Sequence, residues 1–150
     1  MSGHDTVHAS VARVDGYGVL IRGRSGSGKS SLLLSLLSGA PRAADLVADD
    51  RAHLAAKNGR LVASVPEIIA GQMEIRGIGI VRRPYVSPVV VDLIVDLLPV
   101  EECPRLPGEE EARAVLAGIS VPRIFIATGA HDGAARVNAA LARSAADISL

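Results

Sequence analysis

Aromatic rings are almost missing from this sequence. Tyr17, Tyr85 and Phe125 are the whole set, and there is no tryptophan. The core therefore has to be built from Val, Ile, Leu and Ala, and base stacking on aromatic platforms is disfavoured as a binding mode. Net charge is missing too: 16 basic residues balance 16 acidic ones. A nucleic-acid binder normally carries a basic surplus along one face, so that class is disfavoured. The single cysteine, Cys103, cannot close an intrachain disulfide, and no Cys/His spacing of the zinc type occurs. No apolar run reaches the ~18 residues of a membrane span, and the longest strand-like run, 89–98, is interrupted by Asp92 and Asp96. Met1 to Asp5 lack the basic and apolar regions of a signal peptide. Lysine is scarce, with only Lys29 and Lys57 against fourteen arginines. These absences together predict a cytoplasmic, reduced, soluble domain, with neither nucleic acid nor membrane as partner.

The chain has 150 residues, 49% apolar and 21% charged, which predicts one globular domain over 1–150 with a single real core. Short apolar runs alternate with turn residues. Residues 7–14 predict a strand, Asp15-Gly16-Tyr17-Gly18 a turn, and 19–21 a second strand that must lie antiparallel to the first. A glycine-rich loop follows, then a Leu-rich helix over 30–38 ended by Gly39 and Pro41. Residues 46–48 predict a buried strand ending in two acids, and 53–65 a hairpin turning at Lys57-Asn58-Gly59-Arg60. Residues 77–80 predict a loop or strand edge, 89–98 a central strand, 109–117 a helix, 124–127 a strand and 134–146 a closing helix. The predicted class is α/β with a mixed sheet.

Gly23-Arg24-Ser25-Gly26-Ser27-Gly28-Lys29-Ser30 satisfies the P-loop pattern in full, with an apolar strand before it and a helix after it. The chemistry explains the spacing. Glycines let successive N–H groups turn inward onto phosphate oxygens, and the helix N-terminus adds partial positive charge. Lys29 is placed to reach the β- and γ-phosphates, and Ser30 to ligate Mg²⁺. Asp49 and Asp50 close the next apolar strand. Adjacent side chains on a strand point to opposite faces, so the two acids are expected to take different tasks: one toward metal or its water, the other toward a substrate hydroxyl. In Glu74-Ile75-Arg76-Gly77-Ile78-Gly79-Ile80, Glu74 is a candidate metal ligand and Arg76 a candidate oxyanion partner; taken alone, such a segment is a surface turn with an ion pair more often than a site. His8 falls on the predicted strand that pairs with the loop's strand, which makes it a candidate to reach the phosphates; an isolated histidine is more often exposed or simply hydrogen-bonded. Glu109-Glu110-Glu111 predicts acids set against a helix dipole.

Taken in order, these pieces resemble one family, HPr kinase/phosphorylase, in its catalytic domain. The resemblance rests on His8, on Gly23 to Ser30, on Leu46-Val47-Ala48-Asp49-Asp50-Arg51, and above all on Glu74 to Ile80. It implies transfer of the γ-phosphoryl group of ATP, or of pyrophosphate in some members, to a regulatory serine of HPr, the phosphocarrier of the sugar phosphotransferase system. Many members also reverse the reaction with inorganic phosphate. The resemblance implies a nucleotide-binding core like that of phosphoenolpyruvate carboxykinase, and hexamers among the long members. Carried onto this sequence, the loop from Gly23 through Ser31 binds ATP, and Lys29 holds phosphates. Ser30, Glu74 and Asp49 are the Mg²⁺ candidates, and His8 and Arg76 belong to the active site. Asp50 is the base for the serine proton, and Arg105 resembles a later active-site arginine in a shortened segment.

The sequence also departs from that pattern. The N-terminal domain of the long members has no counterpart in these residues. Ala9 replaces a glycine, and Ser31 replaces an acid. The loop that long members use for dephosphorylation reads Ala127-Thr128-Gly129-Ala130-His131-Asp132-Gly133, without arginine. A kinase-biased enzyme is expected. Two other classes stay open on residues alone: a P-loop kinase of a small molecule, and a non-catalytic nucleotide-sensing module. A GTPase is disfavoured because no Asn-Lys-x-Asp segment occurs.

Overall fold

Turn chemistry sets the register of this sheet. Asp15-Gly16, Asn58-Gly59 and Ala117-Gly118 each carry two successive residues with positive φ. Each joins strands whose flanking residues pair directly: Val14 with Tyr17, Lys57 with Arg60, Leu116 with Ile119. That is the two-residue hairpin whose twist matches paired strands. A computed structural model describes residues 4–39 and 43–148, with side chains described for 5–39 and 43–143. Its strands are β1 (His4–Val7), β2 (Ala9–Val14), β3 (Tyr17–Arg22), β4 (Ala44–Ala48), β5 (Ala52–Lys57), β6 (Arg60–Ser64), β7 (Gln72–Ile75), β8 (Gly79–Arg82), β9 (Val89–Leu98), β10 (Arg113–Leu116) and β11 (Ile119–Ala127). Its α-helices are α1 (Lys29–Ser38) and α2 (Gly133–Ile148).

The architecture is mixed α/β, as expected. The main sheet runs β1-β5-β6-β9-β3-β2-β4, with β11 also on β9 and β10 on β11, while β7 and β8 form a separate hairpin. The β-branched run of β9 is the hub. It pairs in parallel with β3 and β11, and antiparallel with β6 through Val89 and Val90. Close approach here needs a glycine: a Cβ on Gly18 would stand 1.9 Å from the Val90 carbonyl oxygen. The Gly18 N–H donates to Asp92 Oδ2 at 2.9 Å.

Alternation along the strands gives each face its own core. On one face, Val19, Ile21, Val95, Leu97 and Ile126 pack with Leu32, Leu33 and Leu36 of α1 and Val137 and Leu141 of α2. On the other, Val11, Leu20, Ile94 and Val121 meet Leu54, Leu61 and Ala63, so the β5–β6 end of the same sheet curls over its own middle.

Two expectations change. The predicted strand over 7–14 breaks at His8: β1 leaves to pair with β5, while β2 pairs with β3 and β4. The predicted helix over 109–117 is a turn followed by β10. Ala114 and Val121 are buried, and the Ala117-Gly118 hairpin returns the chain onto β11. Hairpin pairing there overrides the helical propensity of the Glu and Ala residues, and Glu111 Oε1 accepts the Gly108 N–H at 3.0 Å instead of opposing a dipole. Residues 77–80 are a loop running into a strand edge, as expected: they turn the β7–β8 hairpin, whose loop closes with Ile78 N–H to Ile75 O at 2.9 Å. Gly39 does stop α1, its N–H bonding Leu36 O at 3.4 Å; Pro41, and Met1 to Gly3 of the N-terminus, lie outside the described residues. Among the described residues no helix is long and apolar enough to cross a membrane.

Candidate active site

Because β2 is antiparallel to both β3 and β4, those two strands run the same way, and β9 and β11 run with β3. The glycine loop after β3, the acid pair after β4 and the start of β2 therefore share one end of the sheet. Crevices outside the carboxyl ends of parallel strands are where ligands settle in open α/β sheets. An open cleft of about 1090 Å³ lies there, lined by Ser25, Gly26, Gly28, Lys29, Ser30 and Ser31. Asp49, Asp50 and Arg51, and the stretch from Gln72 through Ile80, complete the lining.

The loop is built to present its backbone. Gly26 and Gly28, both in the cleft lining, have φ of 78° and 101°, a backbone conformation that L side chains rarely adopt. Gly28 leads into α1, whose first turn carries no acid and no side-chain cap, leaving N–H donors for an anion. Lys29 is only 6% exposed, and its Nζ donates to the carbonyl oxygens of Gly23 at 2.9 Å and Arg24 at 3.2 Å. The buried Ser27 hydroxyl, turned toward Gly23, has no hydrogen-bond partner in the protein. Gly23, Arg24 and Ser27 belong to the loop but do not line the cleft.

Under the loop, Arg22 grips Asp96 of β9 with two hydrogen bonds of 2.7 and 2.9 Å, and Arg123 of β11 adds a third at 3.3 Å. The guanidinium of Arg123 also lies 4.6 Å from the centre of the Phe125 ring. Three strands thus hold the residue from which the loop departs. Nothing in the sequence marks Asp96 for this, since it reads as a single charge interrupting an apolar strand.

The two acids diverge. Asp49, 8% exposed, accepts from the hydroxyls of Ser30 at 2.8 Å and Ser10 at 3.1 Å through Oδ1, and from the Glu74 N–H at 3.0 Å through Oδ2. It ties β4 to α1, β2 and β7. Asp50, whose side chain is 57% exposed, has φ 72° and pairs through Oδ1 with Nε2 of His8. His8 does not line the cleft itself and reaches it through Asp50. Glu74 and Arg76 are exposed and face the cleft. Among the described residues no three His, Cys, Asp or Glu side chains gather as a metal cluster. Ser30, Asp49 and Glu74 supply one hydroxyl and two carboxylates, a donor set suited to Mg²⁺, which keeps several waters and binds through few protein ligands.

Arg105 is not brought in. It lies exposed after the turn at Val100–Glu102, in the segment that leaves β9, and is absent from the cleft lining. Ser10 is the residue that sequence reading missed. A serine inside a strand carries no signal, and only pairing with the end of β4 gives it meaning. Cys103 donates its thiol to Leu98 O at 3.6 Å, and burial raises its pKa, so it is a poor nucleophile.

A family model, the HPr serine kinase C-terminal domain, matches residues 1–144. The chain belongs to that family. Among similar proteins, the HPr kinase/phosphorylase of Geobacter sulfurreducens is 35% identical over 131 residues, covering 80% of this chain and 40% of that protein. The protein of the same name from Geobacillus thermodenitrificans is 36% identical over 131 residues, covering 80% and 41%. The chain thus spans about 40% of the length of these curated relatives. A solved structure, the Hpr(Ser) kinase/phosphatase from Coxiella burnetii, superposes with a TM-score of 0.83 at 28% identity, covering 97% of this chain and 99% of that one.

Proposed function

We propose that this family member is an ATP-dependent serine kinase acting on the phosphocarrier HPr. The observation that carries the reading is the juxtaposition of the glycine loop with Asp50, held by His8, in one cleft. In this reading 1–150 is one catalytic unit with a core like that of phosphoenolpyruvate carboxykinase. It is cytoplasmic, and homo-oligomeric as the long members are.

The loop and the helix start would take the ATP phosphates, with Lys29 turning from the Gly23 and Arg24 carbonyls to phosphate oxygens and Arg76 facing them from the β7–β8 hairpin. Ser30, Asp49 and Glu74 would hold Mg²⁺, which supplies charge neutralisation at the phosphates. The acceptor serine's oxygen bonds to the γ-phosphorus as the bond to the β–γ bridging oxygen breaks, and ADP leaves. Asp50 takes the serine proton, and His8 orients its carboxylate. Arg105 enters this reading only through the family resemblance.

The Ala127 to Gly133 turn offers no arginine, and its Asp132 is paired with Arg136 at 2.9 Å. The kinase direction is therefore expected to dominate, and a phosphorolysis rate equal to the kinase rate would contradict that bias. The test of the reading is to incubate the protein with Mg-ATP and HPr and weigh HPr intact. A gain of one phosphoryl group, mapped to a serine, is expected. No gain while ATP still binds would return the protein to a small-molecule kinase or a nucleotide-sensing module.

A further inference from the structure

Ser10 touches both acids and has no part in the transfer just described. It is 0% exposed. Main-chain pairing between β2 and β4 ends at Val11 and Ala48. Beyond that pair the strands part, and the Ser10 side chain continues the link across the gap. Its hydroxyl donates to Asp49 Oδ1 at 3.1 Å and accepts the Asp50 N–H at 3.0 Å.

A hydroxyl has one proton and two lone pairs, so it can do both at once, and the direction is forced. Asp49 is a carboxylate that only accepts, which commits the hydroxyl proton to it and turns a lone pair toward Asp50. The Asp50 backbone at φ 72° lies in the left-handed region, which Asp enters more readily than most residues, and the Ser10 hydroxyl is the acceptor that meets its N–H in that turn.

We infer that Ser10 is a positioning residue for phosphoryl transfer: its hydroxyl holds the turn that separates two adjacent acids, one for the metal side and one for the proton. This rests on the kinase reading above. The asymmetry of the contacts sets the expected effect. Without the hydroxyl, Asp49 keeps its bonds from Ser30 and the Glu74 N–H, whereas the Asp50 N–H loses its acceptor and the turn is freed. The nucleotide side should therefore stand while the proton-accepting carboxylate moves off its line to the acceptor.

Ser10→Ala removes one oxygen and adds no bulk. We expect kcat for HPr phosphorylation to fall about 10- to 100-fold, the scale of a small misplacement of a reacting group. Calorimetric affinity for ATP should stay at the wild-type value, and the Asp50 amide should exchange its hydrogen faster by NMR. A wild-type kcat in Ser10→Ala overturns the assignment. So does a fall in ATP affinity that matches the fall in kcat, because that is general damage to the site. If the wild-type protein itself transfers nothing to HPr, the kinase reading fails instead. The Asp50 amide then decides for Ser10: faster exchange in the variant supports its hold on the turn, and the wild-type rate overturns it.

Discussion

The loop after β3 and the corner after β4 stand at the same end of the sheet and are assembled in opposite ways. The loop is local. Gly23 through Ser30 supply its glycine backbone, its cation and its hydroxyl within eight consecutive residues, and even the lysine's hydrogen bonds return to the loop's own carbonyls. The corner is distributed. Asp49 binds side chains from β2 and α1 and the main chain of β7, while Asp50 answers to His8 at the break between β1 and β2. A device made within one segment survives as a pattern in the sequence. A device made by packing does not, because each of its residues is ordinary where it stands.

The account separates binding, placed in the loop, from proton handling, placed at the corner, and variants can break or sharpen that contrast. The largest effect is expected in the loop. Lys29→Ala should lose about 10³-fold in turnover, the upper scale for one charge-stabilising donor, together with ATP affinity. A titration giving wild-type affinity would contradict the loop's assignment.

Next is the structural cost of the corner. Asp49→Ala leaves the Glu74 N–H, Ser10 and Ser30 without their acceptor. It should lower unfolding free energy by about 1–3 kcal/mol, the usual penalty for an orphaned buried donor, here the Ser10 hydroxyl. Equilibrium urea unfolding reads this as a fall in midpoint, and an unchanged midpoint would show that Asp49 does not knit the corner.

The smallest effect lies outside both regions. Partial desolvation raises the pKa of Asp92 from 3.8, opposed by the Gly18 N–H and by Arg60. The folded state then binds this proton more readily than the unfolded one. The charged form is a small cost that is present above the raised folded value and relieved as pH falls toward 3.8. Asp92→Asn keeps an oxygen for Gly18 and should be more stable than wild type at pH 7 by under about 0.5 kcal/mol, since the side chain is exposed. The difference should vanish below pH 3.8. A difference that grows in acid would reverse the sign assigned to Asp92.

Much of this was legible before the fold was known, and the limits are instructive. The Asn58-Gly59 turn, the central strand at 89–98 and the Leu-rich helix after the loop all follow from local chemistry, and the mixed α/β class follows from them. The adjacency of Asp49 and Asp50 implied different faces, and their partners do differ. The helix expected over 109–117 failed because Glu and Ala favour a helix locally, whereas the Ala117-Gly118 turn and the buried Ala114 commit the segment to pairing with β11. The break at His8 could not be read, because Val7 continues the small and β-branched run of Ala9–Val14, and the chain divides there only because Val7 pairs with β5 while Ala9 onward pairs with β3. Ser10 and Asp96 were invisible for the same reason: their partners are tens of residues away.

The separation of binding from proton handling is tested most directly by Asp50→Asn. Asparagine tolerates positive φ, and this side chain is more than half exposed, so the fold should not change. Calorimetric titration with ATP, run beside transfer to HPr, should give wild-type affinity with turnover lower by at least ~10²-fold, the low end for loss of a general base. Unchanged turnover, or an affinity that falls in step with it, would contradict the division of labour between the loop and the corner.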